Sequence, residues 1–148
     1  MKRRIFIGTA VIAVLMTFLV GYLATVRINN ASEHAIQQNL LTNAKIIAAE
    51  QDEASMRHAA DLVAEASGMN VTLILKDGTV WYRRPALASG SPEQNHLERE
   101  EVKQAFETGV GIAQRHSATM DRTMSYVAVA TEDGSMVVRM SIQVDDIP

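Results

Sequence analysis

Apolar and polar positions change their rhythm several times along the chain. From Ile5 to Val26 there are 22 consecutive residues without a charge. A helix of that length rises about 33 Å, enough to cross a bilayer core of about 30 Å. From Arg27 to Ser67 the pattern is amphipathic and helical, with no Pro and no Gly. Ile36, Leu40, Leu41, Ala44, Ile47 and Ala48 form one apolar stripe at helical spacing, and Met56, Ala59, Ala60, Val63 and Ala66 form a second. The polar run Glu50-Gln51-Asp52-Glu53 separates them, and Asp52 is placed to cap a new helix that ends at Gly68. Both stripes suit packing on a sheet of the same domain; the first equally suits a seam with a second copy.

Beyond Gly68 the rhythm shortens. Val71–Leu75 reads as a strand, Asp77-Gly78 as a tight hairpin turn and Val80–Tyr82 as the returning strand. Pro85, Gly90 and Pro92 break any regular pattern between Arg83 and Asn95. A helix follows, with Val102, Ala105 and Phe106 on its apolar face and Gly109 at its end. Its start has two candidates, the Ser91-Pro92-Glu93-Gln94 capping box and Asn95 with Glu98. Three more strands are expected at Gly111–Ser117, Met124–Ala130 and Met136–Val144, joined by turns at Thr119–Thr123 and Thr131–Ser135. The sum is an α+β fold: a membrane helix and a long helix, then a five-stranded antiparallel sheet with helices on one face.

Charge sets the orientation. Lys2-Arg3-Arg4 precedes the apolar run and predicts a cytoplasmic N-terminus, with residues 28–148 outside the cytoplasm. The run is longer than the apolar core of a cleaved leader, and Tyr22-Leu23-Ala24-Thr25 offers no good cleavage site. The chain holds 14 basic and 17 acidic residues; without the three N-terminal cations it has 11 against 17, a net charge of −6. That balance argues against a nucleic-acid partner and against broad binding to anionic lipid. With no cysteine there is no disulfide and no thiolate metal site. The expected organisation is a basic segment at 1–4, a membrane helix at 5–26, juxtamembrane helices at 27–67 and an extracytoplasmic α+β domain at 68–148.

No catalytic motif is present: no Gly-rich phosphate loop, no G-x-S-x-G and no H-E-x-x-H. His34, His58, His96 and His116 are scattered without metal-ligand spacing. The polar residues that can converge are Asn95, His96 and Arg99 near the start of the middle helix, Arg115 and Ser117 (with His116 and Thr119) near the end of the third strand, Tyr126 on the fourth and Arg139 on the fifth. One reading makes them the lining of a small anion pocket between sheet and helices. The plainer reading has Asn95 capping, Arg99 paired to a nearby carboxylate, and Arg115 and Arg139 facing solvent. Trp81-Tyr82-Arg83-Arg84 fits either a lipid-headgroup or partner contact, or a half-buried Trp at a sheet edge with two solvated arginines.

The ordered series Val71-Thr-Leu-Ile-Leu-Lys-Asp-Gly-Thr-Val80, Asn95-His96-Leu97-Glu98-Arg99-Glu100-Glu101-Val102, Gly109-Val-Gly111, Arg115-His-Ser117-Ala-Thr119 and Met124-Ser-Tyr126-Val-Ala128-Val resembles the extracytoplasmic sensor region of PhoR-type sensor histidine kinases, the phosphate-regulon class. The resemblance spans nearly the whole chain and is most specific over 71–144. It implies a PAS-like or single-Cache fold, a homodimer, and signalling to an ATP-dependent kinase through a second membrane helix, a HAMP linker and a phospho-accepting helix. These lie outside the 148 residues, which then read as the N-terminal part of a larger receptor. It implies no cofactor in this part, and as signal a small anion or an accessory membrane protein. Relatives often carry Asp-Ser soon after the first strand, where this chain has Trp81-Tyr82-Arg83-Arg84. The same module in a chemoreceptor or a cyclic-dinucleotide enzyme, and a membrane-tethered scaffold, are the rival expectations.

Overall fold

The computed structural model describes residues 2–85, 95–117 and 122–144. Helix α1 runs unbroken over Lys2–Ala48 and α2 over Glu53–Ser67. Strands β1 (Asn70–Leu75) and β2 (Val80–Arg84) follow, then α3 (Glu100–Thr108) and strands β3 (Val110–Ser117), β4 (Arg122–Ala130) and β5 (Met136–Gln143). Chain contacts divide the molecule into residues 1–35 and residues 36–148.

In the first unit α1 presents apolar side chains to its surroundings: Phe18 is 74% exposed and Tyr22 68%. Thr17 and Thr25 donate their hydroxyls to the carbonyls of Ala13 and Gly21, four residues back. Those polar groups are thereby satisfied within the helix, as an apolar environment requires. By length and composition this helix is apolar enough to cross a membrane.

In the second unit all strand pairings are antiparallel, in the order β2-β1-β5-β4-β3. Side-chain alternation divides the sheet into two faces. One carries Val71, Leu73, Val127, Val129, Met136, Val138 and Met140, and covers Leu40, Ala44 and Ile47 of α1 and Met56, Ala60 and Ala64 of α2. The first stripe thus packs on the domain's own sheet. The second packs through a buried 56, 60, 64 series with Ala59 and Val63 beside it; Ala66 is exposed, because two residues past Ala64 the helix has turned about 200°. Asp52 caps α2 as expected, its carboxylate accepting from Ser55 N at 2.9 Å. Gly68 ends the helix in the left-handed region, φ 69°.

The expectation of helices on one face holds for α1 and α2 but not for α3. Ala105 packs with Ala128 and Val137, which point to the other side of the sheet. The hydrophobic periodicity of α3 specifies a buried side without saying which sheet face buries it. The start of α3 also differs. Arg99 stands at the N-cap with no side-chain cap, and the helix begins at Glu100. Asn95 is used elsewhere, its amide donating to Asp77 O at 2.8 Å and its Oδ1 accepting from Leu97 N at 2.9 Å. The Ser91–Gln94 capping box, most of the Thr119–Thr123 turn and the exit after Val144 lie outside the described residues. The Trp81 segment takes the plainer reading for Trp81 and for the exposed Arg84, but not for Arg83, which is half-buried against His96. Trp81 is half-buried at the β2 edge with the Arg57 guanidinium 4.4 Å from its ring centre, while Tyr82 donates its hydroxyl to Asp61 at 2.5 Å.

Candidate functional site

The α3 face of the sheet is built from one cross-strand row. Arg83 on β2 pairs with Thr72 on β1, Thr72 with Arg139 on β5, Arg139 with Ala128 on β4, and Ala128 with Gly111 on β3. Residues opposed across antiparallel strands share a face. The row is therefore large and cationic at one end and nearly bare at the other. The bare end admits α3: a methyl group on Gly111 would fall on the carbonyl oxygen of Glu101. Backbone contact at Gly111 thus sets where the Glu101 side chain begins.

Glu101 is fully buried. Arg115 grips it in a two-pronged contact, Nη1 to Oε2 at 2.7 Å and Nη2 to Oε1 at 3.0 Å. Arg139 adds a third bond from Nε to Oε1 at 2.7 Å. Both guanidinium groups rest against Tyr126, their central carbons 4.0 and 4.4 Å from its ring centre. Such aromatic contacts favour cations removed from water. Burial alone would raise the Glu101 carboxyl; the Arg115 hydrogen bond and the Arg139 charge outweigh it and hold the group down to about 2. The two arginines move oppositely. Arg115 gains affinity for its proton from the Glu101 bond, whereas Arg139 is pulled down by burial. Arg139 has lost more water for a single hydrogen bond to the carboxylate, which explains the difference. Both stay charged.

His96 lies beside this cluster. Its backbone N–H donates to Gly78 O at 2.9 Å, so the β1–β2 turn positions it. That turn is the expected Asp77-Gly78 hairpin, with Gly78 at φ 85°. The side chain is buried, and Nε2 lies 3.1 Å from Nη2 of Arg83. Arginine only donates, so Nε2 is the acceptor and Nδ1 carries the ring proton. Among the described residues Nδ1 is buried with no hydrogen-bond partner. Burial, aided by the charges of Arg139, Arg83 and Arg99, pushes the imidazole down to about 4.

The structure therefore brings together His96, Arg115, Tyr126 and Arg139, with the Arg99 charge near His96. Asn95 supports the turn instead. Ser117 pairs through its backbone with Arg122, and its side chain lies outside the described residues. Arg139 is buried, and Arg115, with 29% of its side chain exposed, is turned onto Glu101 rather than out to solvent. Glu101 was hidden in the run Glu98-Arg99-Glu100-Glu101, which reads as a solvated charge cluster; the signal was its spacing of four from Ala105, on the apolar face of α3. Arg83, taken as a loop residue, belongs to β2 and to the site. Among the described residues no group of His, Asp or Glu is arranged to hold a metal ion. A concavity of about 440 Å³ lies between the α1–α2 junction and the β4–β5 turn, away from the ion cluster and rimmed by Glu50, Asp52, Glu132 and Asp133.

The sheet order, the flanking helices and the long preceding helix define a PAS/Cache-like α+β fold. The same fold is found in the ligand-binding domain of the Pseudomonas aeruginosa PAO1 amino acid chemoreceptor PctC in complex with GABA, with a TM-score of 0.60 and 15% identity over 85% of this chain. The extracellular domain designated histidine kinase rpHK1S-Z16 aligns over 62% of this chain with a TM-score of 0.47 and 14% identity. The chain spans 60% and 38% of the lengths of these two structures. No protein-family model and no curated protein matches the sequence.

Proposed function

We propose that the chain is the extracytoplasmic sensing region of a membrane receptor. The observation that carries this reading is a PAS/Cache-like sheet packed on a helix, α1, that runs without a break from a membrane-length apolar segment to Ala48. Lys2, Arg3 and Arg4 favour a cytoplasmic N-terminus, which puts residues 28–148 on the far side of the membrane. A signal received by the sheet then biases two states of α1, and the helix passes the bias inward. A two-fold homodimer suits such a relay. The candidate signal is a small anion, because the donors of half-buried Arg115 and of buried Arg139 and His96 converge on the α3 face; an accessory membrane protein is the rival input.

The output is proposed to be a histidine kinase of the phosphate-regulon class, on the resemblance of residues 71–144. A chemoreceptor output is the second reading, favoured by the shared fold of a chemoreceptor domain that takes GABA. One experiment addresses the relay in either case. Residues 1–148 are joined through an added second membrane helix to a cytoplasmic kinase with a transcriptional reporter, and Asn29 and Asn30 are both changed to Gly. Two Gly residues weaken helix continuity. Output should become insensitive to substitutions in the sheet, such as Arg139→Ala; a response identical to that of the unbroken helix refutes rigid coupling.

A further inference from the structure

The sheet and the helix contribute differently to the ion cluster. Arg115 on β3, Arg139 on β5 and Tyr126 on β4 form a rigid receptor for a carboxylate: a guanidinium fork, a second N–H and an aromatic floor. The carboxylate itself is delivered by Glu101 from a helix of nine residues that lacks a side-chain N-cap. Delivery is incomplete. The His96 Nδ1 proton, buried in the same cationic surroundings, has no acceptor among the described residues. A buried donor without a partner is rare in a settled structural network. The groups facing His96 are Arg83 from β2, Arg139 from β5, Arg99 from the start of α3 and, with opposite sign, Glu101.

We propose that Glu101 is a built-in occupant of a carboxylate site, and that a small free carboxylate bearing a second acceptor oxygen displaces it. The free ligand bonds Arg115 and Arg139 as Glu101 does and supplies the acceptor that His96 lacks. Displacement removes the one side chain of α3 that is bonded to both sheet arginines, so occupancy is read out as release of α3. The inference rests on the α3 face being the sensing site. A tethered carboxylate competes at an effective concentration of millimolar or more. The wild-type chain therefore binds an external carboxylate weakly, and weakening the tethered one exposes the site.

The test uses the full 148-residue chain in detergent micelles. Thermal melting is followed by the fluorescence of Trp81, the single tryptophan. Wild type and Glu101→Gln are titrated with malonate, acetate and chloride at matched ionic strength. Glu101→Gln should bind malonate at least about tenfold more tightly than wild type, malonate should stabilise it more than acetate, and His96→Phe added to it should erase the difference between malonate and acetate. Equal melting of Glu101→Gln in all three salts would overturn the proposal and leave Glu101 a structural ion-pair partner. Should Glu101→Gln fail to fold, Glu101→Asp, one methylene shorter, carries the same comparison with the same two outcomes. Anion binding without any effect on the output of the kinase fusion would support the exchange and refute the sensing role. Output that responds to other stimuli with no anion binding in either variant would refute the exchange alone.

Discussion

Glu101 and Arg139, 38 positions apart in sequence, meet through an Nε–Oε1 hydrogen bond of 2.7 Å beneath α3. Neither partner retains much water; Glu101 is fully buried and Arg139 is 8% exposed. A pair so placed adds little net stability compared with apolar residues of the same shape, but breaking it leaves a buried charge behind.

That asymmetry makes the first prediction. Glu101→Ala strands two guanidinium groups and should cost about 3–5 kcal/mol. Arg115→Ala should cost less, about 1–3 kcal/mol, because Arg139 still holds Glu101 and the Arg115 side chain is already 29% exposed. Chemical denaturation followed by Trp81 fluorescence ranks the two. Equal losses would mean that Arg139 does not hold the carboxylate by itself.

The second prediction concerns pH. His96 is held near 4 in the folded chain against an ordinary 6.5. The unfolded chain therefore binds a proton between those values that the folded chain refuses. Stability contributed by the neutral imidazole is complete above pH 6.5 and falls as pH drops toward 4, by at most about 3 kcal/mol. Glu101, held near 2 against 4.5, adds a separate loss that begins below pH 4.5 and continues through pH 2. His96→Leu should flatten the upper window and leave the lower one. An unchanged profile between pH 6.5 and 4 would show that His96 is not the group responsible.

Much of this architecture was legible in the residues, and the exceptions have physical causes. The strands were set by alternation and by the Asp77-Gly78 and Asp133-Gly134 turns, where only a residue tolerant of positive φ closes the hairpin. Asp52 was legible as a cap because it sits between two apolar stripes. The site was half legible. Arg139 stands in a strand whose neighbours Met136, Val137, Val138 and Met140 are all buried, and a buried arginine demands a carboxylate. The partner was not legible, since Glu98, Glu100 and Glu101 differ only in the helical phase at which α3 meets the sheet. That phase depends on where α3 starts, and the competing caps at Ser91 and Asn95 obscured it. Which sheet face α3 covers is a tertiary choice that no local pattern records.

Gly111 offers a third prediction, on the backbone that positions Glu101. A methyl group there would overlap the Glu101 carbonyl. Gly111→Ala should push α3 off β3 and cost about 1–3 kcal/mol, as overpacking does. The shift should also loosen the Arg115 fork, so the carboxyl of Glu101 should titrate closer to its ordinary value. A variant that melts lower yet keeps the wild-type acid profile would separate packing from the ion cluster.

The last prediction separates the two roles expected of the first stripe of α1. Leu40, Ala44 and Ile47 are fully buried against the sheet of their own chain, whereas Ile46, one position earlier, is 52% exposed. Leu40→Ala should therefore cost about 2–5 kcal/mol, the range for deleting a buried Leu side chain. The loss should be the same at every protein concentration, because the contact lies within one chain. Any contact between two copies must use the other side of the helix, where Ile46 lies. Ile46→Glu should leave the melting of the isolated chain unchanged and weaken self-association, read by sedimentation in detergent across a concentration series. If Leu40→Ala instead loses stability only on dilution, the stripe is a seam between copies after all, and the packing of α1 on its own sheet cannot be what couples the sheet to the helix.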